Sequence, residues 1–179
     1  MNHKQHIALI GLKSAGKTSV AKALVALCEG YEWVDSDACI EARYRQQFKE
    51  SLSYRDIHYQ LGDQVFREWE KDAVMMVLGQ SRSTIIATGG SSMMDKDVAF
   101  HVCQRAKTIF LRASFDTLLK RWQNQMPGFV DPEKNLSQQL SAYHAKRDMH
   151  YLHLADWTID VDDLTPEAIA QLIFTYVEE

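Results

Sequence analysis

The chain has 179 residues, of which 46% are hydrophobic and 25% are charged, and its formal net charge is −4. This length and composition are typical of a single globular domain, here residues 1–179, and they exclude a disordered or fibrous protein. Because the net charge is negative and no dense run of Lys and Arg occurs, we expect no nucleic-acid partner.

The beginning of the chain, residues 1–6, is polar and leads directly into a short apolar run, so it lacks the apolar stretch of a secretory signal peptide. No apolar stretch approaches the roughly 20 residues that a membrane-spanning helix needs. Cys28, Cys39 and Cys103 have no Cys-x-x-Cys spacing, which is typical of reduced, packed cysteines. The sequence therefore predicts a cytoplasmic protein without a membrane partner.

Short β-rich runs alternate with longer stretches of helical period along the chain. The predicted strands are 6–10, 32–35, 84–88, 107–111 and 156–160. One predicted helix begins near Lys17, and three others cover about 62–78, 137–154 and 166–177. Thr165 is the predicted N-cap of the last. This alternation predicts an α/β fold, a three-layer structure in which helices cover a parallel five-stranded sheet.

The segment 125–135 interrupts this pattern, because it contains Pro127, Pro132 and Gly128 between two predicted helices. Proline and glycine at such spacing indicate a loop. A loop of this length in a small domain is often functional.

The strongest motif is Gly11-Leu12-Lys13-Ser14-Ala15-Gly16-Lys17-Thr18, which matches G-x-x-x-x-G-K-[ST] completely. It follows a predicted strand and opens a predicted helix, as a P-loop does. Backbone N–H groups of such a loop and the helix N-terminus together bind phosphate oxygens. Lys17 is predicted to reach the β- and γ-phosphates of ATP, and Thr18 to ligate Mg²⁺. The predicted ATP-binding residues here are Gly11, Lys13, Ser14, Ala15, Gly16, Lys17, Thr18 and Ser19.

A P-loop does not distinguish a kinase from an ATPase or a GTPase, so a second feature is needed. Asp35 ends the second predicted strand and Asp37 follows it, at the sheet edge where open α/β sheets bind ligands. One carboxylate is suited to holding Mg²⁺ through water, and the other to accepting a hydrogen bond or proton from a substrate hydroxyl. The same pair is also suited to capping the next helix, and both interpretations stay open.

Four further segments follow in order. They are Asp35-Ser36-Asp37-Ala38-Cys39-Ile40-Glu41, Gly62-Asp63-Gln64-Val65-Phe66-Arg67-Glu68-Trp69-Glu70, Thr88-Gly89-Gly90-Ser91, and the Arg-x-x-x-Tyr-x-x-x-Ala of residues 147–155. In order and spacing they resemble the motifs of the shikimate kinase family, with Asp63 in place of a glutamate and Ser91 in place of a third glycine. The resemblance covers nearly the whole chain.

This resemblance implies a P-loop fold similar to that of nucleoside monophosphate kinases, with a substrate-binding segment at about 36–62 and a helical lid at about 123–136. It implies ATP-dependent transfer of phosphate to a hydroxyl of shikimate or a similar small hydroxy acid, with ATP and Mg²⁺ as cofactors. We expect a monomer.

The resemblance also implies a role for single residues. Lys17 and Asp37 would be catalytic, and Asp35 would join Thr18 at Mg²⁺. Arg121 would stack on adenine, and Glu70 would orient Arg67. The implied substrate-binding residues are Asp37, Arg67, Gly89, Gly90 and Arg147, where the two arginines would hold a carboxylate.

The lid departs from the family pattern, because Arg-Pro-Leu-Leu is replaced by Met126-Pro127-Gly128-Phe129 and the arginine is missing. An arginine on the transferring phosphoryl group contributes about 10³ to 10⁵ in rate. Three interpretations remain open. Another cation supplies the charge; or the lid accepts a different hydroxy acid, such as gluconate or a modified shikimate; or the chain is a pseudokinase that binds nucleotide and hardly catalyses. The candidate cations are Lys13, Lys120, Arg121 and Lys134.

Overall fold

The computed structural model describes residues 5–127 and 129–178. Within these ranges the strands are β1 His6–Ile10, β2 Glu32–Asp35, β3 Thr84–Ala87, β4 Ala106–Arg112 and β5 Trp157–Asp160. The α-helices are α1 Lys17–Val25, α2 Ser36–Phe48, α3 Tyr54–Leu78, α4 Lys96–Arg105, α5 Phe115–Asn124, α6 Leu136–Leu154 and α7 Pro166–Glu178.

The five strands form one parallel sheet in the order β2-β3-β1-β4-β5. All five residues of the central strand β1 are buried. Because successive side chains of a strand point to opposite faces, helices must cover both faces of the sheet. The predicted α/β fold with a five-stranded parallel sheet is confirmed.

Strands β1 and β2 have the predicted bounds, whereas β3, β4 and β5 differ from them by one residue at one or both ends. Thr88 was predicted to end β3, but its N–H and its hydroxyl both donate to the carbonyl of Leu9, at 3.2 and 3.0 Å. The chain then turns into Gly89 instead of continuing the ladder. Strand β4 is one residue longer at each end, and β5 begins one residue later than predicted.

Helix α3 begins earlier than predicted. The predicted start at Gly62 was wrong, because Ser53 caps the helix and Gly62 is a kink within it, with φ 77° and ψ 163°. Tyr54, Ile57 and Leu61 do have helical spacing, but the prediction began at Gly62 because a glycine usually marks a helix boundary. An apolar cluster, separate from the main core, joins α3 to α2 through Ile40, Tyr44, Ile57, Phe66, Trp69 and Ala73.

The predicted loop between α5 and α6 is confirmed, and the predicted helical lid over 123–136 needs correction. Helical residues occur only at its borders, in the last turn of α5 and the first of α6; the described residues between them form turns, bends and irregular backbone. Pro127 accounts for part of this, since a proline cannot donate the N–H that a helix interior requires. Gly128 lies outside the described residues.

Two further predictions are confirmed. Thr165 caps α7, because its hydroxyl accepts the Ala168 N–H at 3.2 Å. Among the described residues, Cys28, Cys39 and Cys103 form no disulfide. None of the described helices is long and apolar enough to cross a membrane.

Gly11→Ala is expected to destabilise the fold by about 3 kcal/mol. Gly11 has φ 145°, and an added Cβ would lie 2.7 Å from the backbone carbonyl oxygen of Leu111 in β4. Gly30→Ala is the matched control, since Gly30 has φ 82° with open space around its Cβ position. We expect the control to cost about 1 kcal/mol, from the left-handed φ alone. Urea unfolding of both variants measures the difference, and equal losses would contradict the close approach.

Candidate active site

The P-loop connects β1 to α1 and folds around the Lys17 side chain. Lys17 is buried, and its Nζ donates to the carbonyls of Gly11 and Leu12, both at 2.9 Å. Ser14 and Gly16 have left-handed φ values of 69° and 99°. Such alternation turns backbone N–H groups inward and makes a concave anion-binding nest at the N-terminus of α1.

Burial changes the acidity of Lys17. Loss of solvation and the nearby charge of Lys13 lower the pKa of Lys17 to about 8, against an opposing effect of Asp37. Among the described residues, Lys17 Nζ bonds to the two P-loop carbonyls and no carboxylate pairs with it directly. An anion bound in the nest would stabilise its charged form.

Thr18 and Asp35, the two predicted metal ligands, are in contact. The Thr18 hydroxyl donates to Asp35 Oδ2 at 2.6 Å, and Asp35 Oδ1 accepts the Asp37 N–H at 2.9 Å as the N-cap of α2. Asp35 thus caps a helix and also presents an oxygen beside the P-loop. Two hard oxygen donors next to a phosphate nest fit Mg²⁺, which binds proteins through few carboxylates together with substrate phosphates.

Asp37 lies between a cation and the cleft. Its Oδ2 accepts from Lys13 Nζ at 2.9 Å, while its Oδ1 is buried with no hydrogen-bond partner among the described residues. Burial raises the pKa of Asp37, and Lys13 partly opposes that rise. An unpaired, buried carboxylate oxygen is costly unless a ligand donates to it.

The turn at residues 89–91 brings the separate parts of the site together. The Gly89 N–H donates to Ser36 Oγ at 2.8 Å, which ties the turn to the segment of the two aspartates. A Cβ on Gly90 would lie 2.9 Å from the backbone nitrogen of Lys13 and 3.0 Å from the Tyr143 hydroxyl. Only glycine permits this close approach of the turn to the P-loop.

Arg67 is held by two carboxylates of its own helix. Its Nη1 is 2.5 Å from Glu70 Oε2, and its Nε is 3.5 Å from Asp63 Oδ1. Glu70 is only 3% exposed and also accepts from the Tyr54 hydroxyl at 3.3 Å. The contact that was predicted to orient Arg67 is therefore present.

Arg147 stacks on an aromatic ring. Its guanidinium carbon is 3.8 Å from the ring centroid of Tyr143, one helical turn earlier on α6, and its Nη2 is 3.5 Å from Ser91 Oγ. Its Nε is buried, and no partner is found for it in the described parts of the chain. Tyr143 and Tyr151 both donate to the Gly90 carbonyl, at 3.0 and 2.7 Å.

One cleft of 1410 Å³ connects these groups. The predicted residues that line it are Lys13 to Ser19, Asp35, Asp37, Arg67, Gly90, Arg121 and Arg147. Gly11 and Gly89 do not line it; they lie behind its surface. Arg121 donates to the Ser14 carbonyl at 2.8 Å and lines the cleft, as do the apolar residues Val161, Leu164 and Ile169.

Sequence reasoning missed Tyr54 and Tyr143 as residues of this cleft. For Tyr143 a signal existed, because Tyr143, Arg147 and Tyr151 are spaced four residues apart and so share one face of α6. Of the cations considered for the missing lid arginine, Lys120 and Lys134 do not line the cleft. Lys134 pairs with Asp131 at 3.0 Å instead.

The chain is similar to known proteins over nearly its whole length. The shikimate kinase family model matches residues 13–178. The shikimate kinase of Lactococcus lactis subsp. cremoris is 36% identical over 172 residues, which cover 93% of this chain and 94% of that protein.

Two solved structures extend the comparison to the fold. Shikimate kinase from Acinetobacter baumannii in complex with shikimate has a TM-score of 0.82 at 24% identity, covering 98% of this chain and 94% of that one. A gluconokinase from Sinorhizobium meliloti 1021 is more distant, with a TM-score of 0.58 at 15% identity, covering 99% and 94%. At these identities the structures support the fold alone. With the family match, however, the resemblance seen in the sequence motifs is confirmed, and the chain belongs to the shikimate kinase family.

Proposed function

We propose that this chain transfers the γ-phosphate of ATP to a hydroxyl group of shikimate. The observation that carries the proposal is a single cleft in which a P-loop faces Asp37, Arg67 and Arg147. Membership of the family supports it, and so does the similar fold of the Acinetobacter baumannii enzyme, whose structure is a complex with shikimate.

On the donor side, the P-loop N–H groups and Lys17 would bind the phosphates of ATP. Lys17 Nζ now donates to two carbonyls at the mouth of the loop, and a phosphate oxygen there would be a stronger, charged acceptor. Thr18 and Asp35 would hold Mg²⁺, which supplies positive charge to the phosphate oxygens when bound. Arg121 would pack against adenine in the cleft that the apolar residues Val161, Leu164 and Ile169 also line.

On the acceptor side, the groups with unsatisfied bonding capacity match those of shikimate. Asp37 Oδ1 lacks a donor and would accept a bond from a ring hydroxyl. Arg67 and Arg147 would hold the carboxylate, since a guanidinium offers a planar pair of donors to two oxygens. The Gly90 N–H would donate to the substrate, with Gly89 behind it fixing the turn.

Transfer then needs little covalent participation by the protein. The acceptor hydroxyl oxygen bonds to the γ-phosphorus, the bond from that phosphorus to ADP breaks, and the hydroxyl proton passes to Asp37. Lys17 stabilises the negative charge that spreads over the phosphoryl oxygens. Binding both substrates in one cleft also places the hydroxyl near the phosphorus.

The two rival functions predict different rates. A kinase for gluconate or a modified shikimate would use the same donor side, and a pseudokinase would bind ATP without turnover. ADP release measured with shikimate, gluconate and ring-modified shikimates as separate acceptors distinguishes them. We expect the highest kcat/KM with shikimate. A higher value with gluconate would overturn the assignment, and tight ATP binding without ADP release on any acceptor would favour the pseudokinase.

Four predictions from the sequence stay predictions. They are the cytoplasmic location, the monomeric state, and the lack of nucleic-acid and of membrane partners. The division into a core, a substrate-binding segment at about 36–62 and a lid at about 123–136 is likewise part of this proposal.

Arg67→Ala is expected to raise the KM for shikimate about 10- to 100-fold, the effect of losing a charged hydrogen-bond pair to the carboxylate. The KM for ATP should change little, because Arg67 is on the acceptor side. Arg43→Ala is the matched control, since Arg43 pairs with Asp72 at 2.9 Å outside the cleft. Steady-state kinetics with each substrate varied in turn measures both values. An unchanged KM for shikimate in Arg67→Ala would remove Arg67 from the acceptor site.

A further inference from the structure

Lys13 occupies a position of the P-loop at which the motif demands no particular residue. Its backbone is held from two sides, because its carbonyl accepts from the Trp122 indole N–H at 3.3 Å and its nitrogen lies against Gly90. Its side chain reaches across the cleft, where Nζ is 2.9 Å from Asp37 Oδ2 and 5.4 Å from the centre of the Tyr54 ring. The Lys13 backbone therefore belongs to the P-loop, and its ammonium group contacts Asp37, the predicted base.

Four other cations of the cleft have partners of their own, whereas Arg55 lines the cleft as an exposed residue of α3. Lys17 bonds to carbonyls of the P-loop, and Arg121 bonds to the Ser14 carbonyl. Arg67 is held by Glu70, and Arg147 lies on the Tyr143 ring. Within residues 5–127 and 129–178, Lys13 is the cation whose charged group bonds to Asp37.

We propose that Lys13 is a catalytic residue whose ammonium group bonds at once to Asp37 and to the phosphoryl group in transfer. An ammonium group has three donors, and Asp37 Oδ2 takes one of them, so two remain for phosphoryl oxygens. This inference rests on the proposed function, and it assigns to the P-loop itself a charge that phosphoryl transfer requires.

The transfer step balances with Lys13 protonated throughout. A lone pair of the acceptor hydroxyl oxygen forms the bond to the γ-phosphorus, while the bond from that phosphorus to the bridging oxygen breaks and its electron pair stays on ADP. The hydroxyl proton passes to Asp37 Oδ1, the oxygen that lacks a partner. Lys13 keeps its bond to Asp37 Oδ2 and donates to a phosphoryl oxygen, so it gains and loses no proton.

The charges around the pair support this assignment. Burial alone would lower the pKa of Lys13, but Asp37 and Asp35 raise it, so the ammonium stays charged. Burial raises the pKa of Asp37, and Lys13 and Lys17 oppose that rise. The remaining groups that face the pair are Tyr54 and Glu70 of α3 and Tyr143 of α6.

Lys13→Met tests the proposal, with Lys13→Arg as the variant that keeps the charge and Lys120→Met as the control outside the cleft. We expect Lys13→Met to lower kcat about 10²- to 10³-fold, the effect of removing one donor to transition-state charge. The KM values for ATP and shikimate should stay within about threefold, since the nest and the two arginines remain. Lys13→Arg should keep a kcat at least about tenfold above that of Lys13→Met, and Lys120→Met should match wild type.

A second readout does not depend on turnover. Isothermal titration calorimetry with shikimate and with a non-hydrolysable ATP analogue, each measured separately, should give dissociation constants for Lys13→Met within about threefold of wild type. A merely structural role of Lys13 as the partner of Asp37 would instead weaken shikimate binding. Melting temperatures check that each variant is folded, which we expect because the Lys13 side chain is 42% exposed.

Three outcomes are separable. If wild type turns over shikimate and Lys13→Met keeps its kcat, this inference alone is overturned. A lowered kcat together with shikimate binding weakened more than about tenfold also overturns it, because Lys13 would then be only a structural partner of Asp37. Wild type that turns over no acceptor overturns the proposed function and this inference with it.

Discussion

Lys17→Ala and the closer-sized Lys17→Met are expected to lower kcat for phosphate transfer by about 10³-fold or more. Lys17 is the buried cation at the mouth of the P-loop, and charge stabilisation of the phosphoryl group is the main catalytic contribution in this reaction class. Steady-state ADP release at saturating shikimate measures the loss. Lys22→Ala is the matched control, because Lys22 is on the same helix but exposed beside Trp33. A Lys17→Met enzyme that keeps more than about a tenth of its kcat would contradict this role.

The pH profile offers a second measurement of the same charge. The pKa of Lys17 is about 8, so the residue is charged below that pH and neutral above it. Since only the charged form binds phosphate well, kcat/KM for ATP should fall as the pH rises through about 8. Bound ATP favours the ammonium form, so kcat itself should hold to higher pH. A kcat/KM for ATP that stays level through pH 8 to 10 would be inconsistent with this assignment.

Asp37→Asn is expected to lower kcat about 10²- to 10⁴-fold, the usual effect of removing a general base. The asparagine keeps the size of the side chain but cannot take the hydroxyl proton, and it loses the ion pair with Lys13. The KM for ATP should be nearly unchanged because the P-loop is intact. Asp72→Asn serves as control, since Asp72 is exposed and pairs with Arg43 outside the cleft.

The acid limb of the profile also belongs to Asp37. Burial raises the pKa of Asp37, so the carboxyl becomes protonated and inactive as the pH falls through that raised value. In Asp37→Asn the acid limb should therefore flatten along with the loss of rate. If the variant keeps both its kcat and a steep acid limb, another group is the base.

Strands β1, β3 and β4 were predictable because they are short, largely apolar runs whose residues are all or mostly buried. Three helices were not assigned bounds from the sequence, and α2 illustrates the reason. Its buried residues are only Ser36, Ile40 and Tyr44, and most of its other residues are polar. The helix therefore shows almost no apolar stripe in the sequence. Its stability depends on the separate cluster with α3, which is a tertiary feature.

The P-loop side of the site followed from a local motif, whereas the acceptor side depends on sheet topology. Lys13 and Asp37 are 24 residues apart and follow strands that are not neighbours, since β3 lies between β1 and β2. Their contact exists because both strands end at the same edge of the sheet and α2 begins there. No periodicity in the sequence indicates that bond, and none indicates the contact of Tyr143 with Gly90.

The lid shows how a substitution can change packing as well as charge. Met126 and Pro127 line the cleft, and Phe129 stacks on Tyr143 with ring centroids 4.8 Å apart. Tyr143 in turn carries the Arg147 guanidinium on its ring. The Tyr143 ring thus lies between Phe129 of the lid and Arg147, a predicted substrate-binding residue. The hypothesis of a reshaped lid did not include this packing.

The central claim is that one cleft joins MgATP and shikimate for direct transfer. Phosphorus NMR of a reaction containing the protein, MgATP and shikimate tests it most directly. We predict a new phosphomonoester signal on shikimate that grows in step with ADP and is absent when shikimate is omitted. Release of ADP with inorganic phosphate and no phosphorylated shikimate, or no change in ATP at all, would contradict the account.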